Sequence, residues 1–194
     1  MASFVWTDND VQRMYVQNNN AVNTLVQGGL RYMSTSVAAS TAHSDTTTEA
    51  LLDTICTIPA NTLIAGSVIR VRYQGIATST NSTDTLTIKL YLGGLTGTVL
   101  LTGTATDVAN NNIFCGEYTL VVRTSGAAGT CVGFGSHSKV PAASNTASPV
   151  YEILASTAID TTASKVIGVG ADWSVASASN SCRLDVFVVE IMGL

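Results

Sequence analysis

From about residue 46 to Leu194, apolar and small polar side chains alternate along the chain. Leu86, Ile88, Leu90 and Leu92 alternate with Thr87, Lys89 and Tyr91, and Ile69 and Val71 oppose Val68 and Arg70. Near the C-terminus Leu184, Val186, Val188 and Glu190 fall on one face, with Asp185, Phe187, Val189 and Ile191 on the other. Successive side chains of a strand point to opposite sides, so a period of two predicts strands with one face turned to a core. The runs so marked cover 32–42, 49–58, 67–79, 84–93, 98–106, 112–124, 129–140, 149–159, 164–174 and 181–192. Turn formers separate them, among them Pro59-Ala60-Asn61, Asn110-Asn111-Asn112 and the stretches Thr80 to Thr83, Gly93 to Gly97 and Gly126 to Gly129. Short strands at this spacing predict an all-β double sheet, a sandwich or a barrel, over residues 46–194. Segment 141–148 reads as a longer surface loop.

Residues 1–45 follow a different pattern. Thr7-Asp8-Asn9-Asp10 has the form of a helix N-cap with an acid three residues on. Val11, Met14, Tyr15, Val22, Leu25 and Val26 follow at helix-like spacing, Asn18-Asn19-Asn20 interrupts them, and Gly28-Gly29 would end the element. This stretch is expected to be an N-terminal arm or short helix. It docks on a partner or a sister subunit, or it tucks against its own sandwich. Phe4 and Trp6, so near a terminus, must be buried against something.

Composition narrows the function. Charged residues make up 11% of the 194, the net charge is −4, and the polar half is mostly Thr, Ser, Asn and Gly. The nine Lys and Arg are scattered. Only Arg70-Val71-Arg72 puts two on one face, short of the basic stripe that releases counterions from nucleic acid. Nucleic acid is therefore not expected as a partner. No run of 18 apolar residues and no basic, then apolar, leader is seen, so neither a membrane span nor a secretory signal is expected. The four cysteines, Cys56, Cys115, Cys131 and Cys182, form no CxxC pair and sit in strand-like runs. They read as reduced core thiols rather than zinc ligands.

Reactive groups are sparse. His43 and His137 are the only histidines. His137 lies in Gly135-Ser136-His137-Ser138, where neighbouring serines on a strand point away from it, and it reads as a strand-edge or loop histidine. Glu117, Glu152 and Glu190 lie in apolar strands; a strand edge or subunit interface accounts for them more simply than a glycosidase pair. Asp8-Asn9-Asp10 is too short for a calcium loop; the run from Asp107 to Asn112 offers oxygens but lacks the Gly and Glu spacing of an EF-hand, which leaves calcium at a lectin-like loop as a lesser alternative. No catalytic, cofactor or metal residues are assigned, and an enzyme is not expected.

The run Thr57-Ile58-Pro59-Ala60-Asn61-Thr62-Leu63, then Gly66 to Val71, then Leu86-Thr87-Ile88-Lys89-Leu90-Tyr91-Leu92-Gly93-Gly94, resembles structural proteins of tailed bacteriophages. It is most similar to the jelly-roll capsid decoration (cement) proteins and the related modules of head fibres and tails. The resemblance spans roughly residues 46–192. It implies an antiparallel jelly-roll-like β-sandwich, a homotrimer on the capsid surface of the virion, and the major capsid protein as partner, with no cofactor. An extended terminus would reach along the shell, with Phe4, Val5, Trp6, Met14 and Tyr15 as its contacts, since aromatic and Met side chains are enriched at interface cores. The alternative is a receptor- or glycan-binding jelly-roll module of a tail or head fibre, with Trp173 and Tyr151 as candidate sugar-stacking residues.

Overall fold

The computed structural model describes residues 5–8, 13–17, 23–26, 31–81, 83–140 and 149–193. Among them every regular element is a strand: β1 (Val5–Asp8), β2 (Arg13–Gln17), β3 (Asn23–Val26), β4 (Arg31–Thr35), β5 (His43–Ser44), β6 (Ala50–Ile58), β7 (Val68–Thr78), β8 (Thr85–Leu92), β9 (Thr98–Thr102), β10 (Thr106–Asp107), β11 (Asn112–Thr124), β12 (Gly129–Val140), β13 (Val150–Ile159), β14 (Lys165–Trp173) and β15 (Ser181–Met192).

The larger sheet has seven strands in the order β13-β12-β11-β7-β15-β4, with β5 also on β15. The smaller has five, in the order β10-β8-β14-β6, with β9 also on β8. All pairings are antiparallel. The chain passes back and forth between the two sheets, which makes an antiparallel jelly-roll-like β-sandwich. One apolar core joins them: Leu52, Ile58, Ile88, Leu90, Ile167, Val169 and Trp173 from the smaller sheet meet Ile69, Val71, Tyr73, Phe114, Tyr118, Leu120, Phe187 and Val189 from the larger. The period of two carries this directly. In β7 Ile69, Val71 and Tyr73 are buried while Arg70, Arg72 and Gln74 are exposed.

Three local features depart from the sequence expectation. First, the helix expected after Thr7 is replaced by strands: β1, β2 and β3 form a separate three-stranded sheet. The apolar stripe lapses between Tyr15 and Val22, and Val16, Val22, Thr24 and the Asn residues are weak helix formers. Cross-strand pairing wins over helix. Trp6 stands opposite Tyr15, Thr7 opposite Met14 and Val5 opposite Val16. Phe4 lies outside the described residues.

Second, Leu184 does not share a face with Val186. The ladder between β15 and β7 shifts register between Leu184 and Val186, leaving Asp185 as an extra residue. This bulge turns Leu184 inward to join Phe187, Val189 and Ile191 in the core. Third, the strand expected over 98–106 is broken in two. β9 and β10 both lie on β8 and are separated at Gly103, whose amide donates to the Ile88 carbonyl at 2.8 Å.

Candidate functional site

Two features stand out on the β12–β13 side of the sandwich, one outside the larger sheet and one at the mouth between the sheets. Among the described residues β13 is the last strand of its sheet, paired only with β12. Its sequence Val150-Tyr151-Glu152-Ile153-Leu154 alternates, so Val150, Glu152 and Leu154 turn toward the smaller sheet and Tyr151 and Ile153 turn out. Tyr151 is 65% exposed, Ile153 80% and Phe134 of β12 53%. Phe134 stands opposite Ile153, and Ser136 opposite Tyr151. The Phe134 and Tyr151 rings lie near-parallel, at 11°, with centroids 6.4 Å apart.

The register carries the row inward across the same outer face. Tyr151 is followed by Ser136, Glu117 and Arg72 on successive strands. Glu117 and Arg72 form an exposed ion pair at 3.3 Å, whose net contribution to stability is small because solvent screens it. The outer face is thus an apolar strip along one edge bordered by a charged row.

On the inner side, His137 is buried, not at an edge or in a loop as its sequence neighbours suggested. The period of two turns it inward from β12, and its Nδ1 lies 2.9 Å from the Tyr73 hydroxyl. That hydroxyl has no other partner among the described residues, so its proton points to Nδ1 and the ring proton sits on Nε2. Burial, and then the charge of Lys139, lower the imidazole pKa to about 4, so the ring is neutral at pH 7. The Cδ2–Nε2 edge lies against Gly103. A Cβ there would stand 2.6 Å from Cδ2 and 2.7 Å from Nε2, which accounts for the glycine.

Lys139, two residues on, donates to Thr106 Oγ1 at 2.8 Å, to the Thr106 carbonyl at 3.2 Å and to the Asp107 carbonyl. It ties β12 to β10 across the mouth of the sandwich. Burial lowers its ammonium to about 8, against the pull of the Asp107 charge. Glu152, on the inner face of the edge strand, accepts from the Thr102 amide at 2.9 Å and ties β13 to β9. Between these ties lies a cleft of ≈ 370 Å³ lined by Thr104, Thr106, Asp107, His137, Lys139, Pro149 and Val150.

The residues singled out from sequence are distributed as follows. Tyr151 is exposed and has Phe134 beside it. Trp173 is not available to a ligand: it is 1% exposed in the core, with its Nε1 donating to the His43 carbonyl at 3.4 Å. Val5, Trp6, Met14 and Tyr15 lie on β1 and β2, away from the cleft in sequence and sheet. The cysteines are free, and Cys56, Cys131 and Cys182 are buried. Phe134 and the His137–Tyr73 pair were not singled out as binding residues, and Asp107 was weighed only as part of a calcium loop. The alternation of β12 marks Phe134 as facing the side opposite His137, but nothing local tells which side is solvent.

The class of protein defined by these observations is an all-β sandwich with an apolar edge strip, unpaired on its outer side among the described residues, and a small, mostly apolar cleft. No protein-family model matches the chain, and no curated protein matches it. Among solved structures, a protein of unknown function from Shewanella oneidensis is 12% identical, with a TM-score of 0.40 over 98% of this chain and 85% of that one. Arcelin-5, a lectin-like defence protein from Phaseolus vulgaris, is 8% identical, with a TM-score of 0.41 over 99% and 91%. Lectin I-B4 from Griffonia simplicifolia is 9% identical, with a TM-score of 0.34 over 99% and 92%. These likenesses are faint and concern strand architecture only.

Proposed function

We propose that the chain is a non-catalytic structural protein of a repetitive surface, a decoration protein that binds the shell of a tailed phage as a homotrimer. The observation that carries this reading is the bare strip formed by Phe134, Tyr151 and Ile153 on an edge strand with an unpaired side among the described residues. Apolar side chains clustered on a free edge mark a contact surface, because a lone chain gains nothing by leaving them in water. Glu152, drawn inward on the same strand, discourages uncontrolled edge-to-edge pairing, as charges on edge strands do. On a shell each copy's contact is multiplied, so a modest strip suffices for tight decoration. The strip is tested with the Tyr151→Ser and Ile153→Lys double variant. Both positions are exposed, so the sandwich stays folded while self-association or shell binding is lost. A variant that assembles and binds like the parent contradicts the reading.

A second reading, a glycan-binding module, is favoured by the near-parallel Phe134–Tyr151 pair, since sugars stack on exposed aromatic faces. A glycan array would show binding that disappears in Tyr151→Ala; an array without a signal argues against it.

A further inference from the structure

The two ends of β13 are held by different means. At the far end Ile159 is buried and Thr161, just beyond it, is clamped. The Thr161 amide donates to the Gly126 carbonyl at 3.1 Å, the Gly126 amide to the Thr161 hydroxyl at 2.8 Å and the Asn61 amide to the Thr161 carbonyl at 2.8 Å. At the near end, from Val150 to Leu154, every side chain is half-buried or exposed. A segment with few buried apolar contacts opens before the rest of a fold. What closes this end over β9 and β10 is a seam of three ionisable side chains. Glu152 accepts from the Thr102 amide, Lys139 donates to Thr106 and to the Asp107 carbonyl, and the His137 ring lies against Gly103.

His137 is closed in as a neutral ring, its Nδ1 paired with the Tyr73 hydroxyl. A second ring proton would make it a cation among groups that do not balance it. Tyr73 of β7 is kept neutral by burial, and Cys115, whose charge bears on Tyr73, is a thiol that burial also keeps protonated. Gly116 of β11 and Val150 of β13, the positions opposite His137, are uncharged, as is Gly103 of the facing sheet. Lys139, on the same strand, is a like charge. The acids nearby are engaged elsewhere: Asp107 of β10 pulls on Lys139, and Glu152 of β13 holds the Thr102 amide. The connection 141–148 carries no ionisable side chain. A buried imidazolium so placed is relieved only by water, which reaches it when the seam parts. We propose that this end of β13 is an acid-opened latch, in which a proton on His137 frees Val150 to Leu154 from β9 and β10 while the strand stays clamped at Thr161. The strand released carries Tyr151 and Ile153, and the latch works in the same way whatever covers them.

The test is hydrogen exchange of the full chain in low urea at a series of pH values, corrected for intrinsic rates. The Thr102 amide and the protected amides of 150–154 exchange by a route insensitive to urea, as local opening does, whereas those of β7, β11 and β15 exchange faster as urea rises. The local route speeds up roughly tenfold or more between pH 7 and pH 5, starting near 6.5, where a free imidazole titrates. His137→Asn flattens this response to within about twofold, and Glu152→Gln, which keeps an acceptor for the Thr102 amide, retains it. Three results overturn the proposal: seam amides that exchange only by the urea-sensitive route of the core, a parent response that begins only below about pH 5 and so belongs to a carboxylate, or a His137→Asn chain that responds like the parent. The first two are read on the parent alone, so they decide the matter even where the variant does not fold.

Discussion

At the scale of single residues, His137 has the most distinctive environment. Its folded pKa of about 4 lies below the ordinary 6.5, so between these values the unfolded chain takes up a proton that the folded chain refuses. Stability therefore falls as pH drops from about 6.5 to 4, by up to roughly 3 kcal/mol, and this contribution is flat below. His43, also lowered by burial against the pull of Asp172, adds a loss of the same sign. Glu49 is different. Burial raises its carboxyl, but the hydrogen bonds from Tyr91 and Lys89 outweigh that and hold it below 4.5, so its contribution is lost only at lower pH. Urea midpoints measured from pH 7 to pH 4.5 should fall for the parent and fall less steeply for His137→Asn; parallel slopes would contradict the buried neutral imidazole. Trp173 and Tyr151 make a second contrast. Trp173→Ala empties the core and should cost about 3–5 kcal/mol, whereas Tyr151→Ala, at an exposed site, should stay within about 0.5 kcal/mol. Equal losses in thermal unfolding would mean that the two aromatics are not divided between core and surface.

Among the elements, the strands from β6 to β15, β9 and β10 excepted, were legible in the sequence to within a residue at each end, because most have one buried and one solvated face and the alternation records it. The 112–124, 129–140 and 181–192 runs match β11, β12 and β15 end to end. What was not legible depends on partners distant in sequence. The bulge at Asp185 adds one residue to β15, and the periodicity gives no sign of it, because Asp185 and Leu184 each look acceptable on either face. Ser36 and Ser40 secure this stretch. The Ser40 hydroxyl accepts from the Leu184 amide and the Ser36 hydroxyl from the Phe187 amide, each at 2.9 Å. They supply acceptors along β15 between β4 and β5. Ser40→Ala leaves the Leu184 amide without that acceptor and should cost about 1–3 kcal/mol in chemical denaturation, whereas Ser40→Thr, keeping the hydroxyl, should cost less. Gly103 has the same origin: nothing in the run from Thr98 to Thr106 marks its side-chain space as taken by the imidazole of a residue 34 positions later. In the N-terminal stretch, a helix-like spacing of six apolar residues was outweighed by β-branched and Asn neighbours that pair better than they coil. The candidate site was half legible. Tyr151 was visible as an exposed aromatic in an alternating run, but its pairing with Phe134 follows from the β12–β13 register, which sequence alone does not fix.

For the molecule as a whole, the hydrogen-bonded sandwich begins at β4, which pairs with β15, while among the described residues β1 to β3 pair as strands only with one another. Removing residues 1–30 spares every strand of the two core sheets. The truncated chain should keep its far-UV signature and lose less than about 1 kcal/mol of stability, yet lose binding to phage shells if Trp6, Met14 and Tyr15 make the shell contacts. A truncated chain that still decorates shells would rule out the N-terminal contacts and leave docking to the strip of Phe134, Tyr151 and Ile153 alone. In the proposed assembly the strip of Phe134, Tyr151 and Ile153 would be covered by protein. That assembly is tested most directly by the absolute mass in solution, measured by light scattering, alone and after mixing with empty phage shells. The account predicts a mass of three chains and saturable binding to the shells. A mass of one chain that ignores the shells would contradict it.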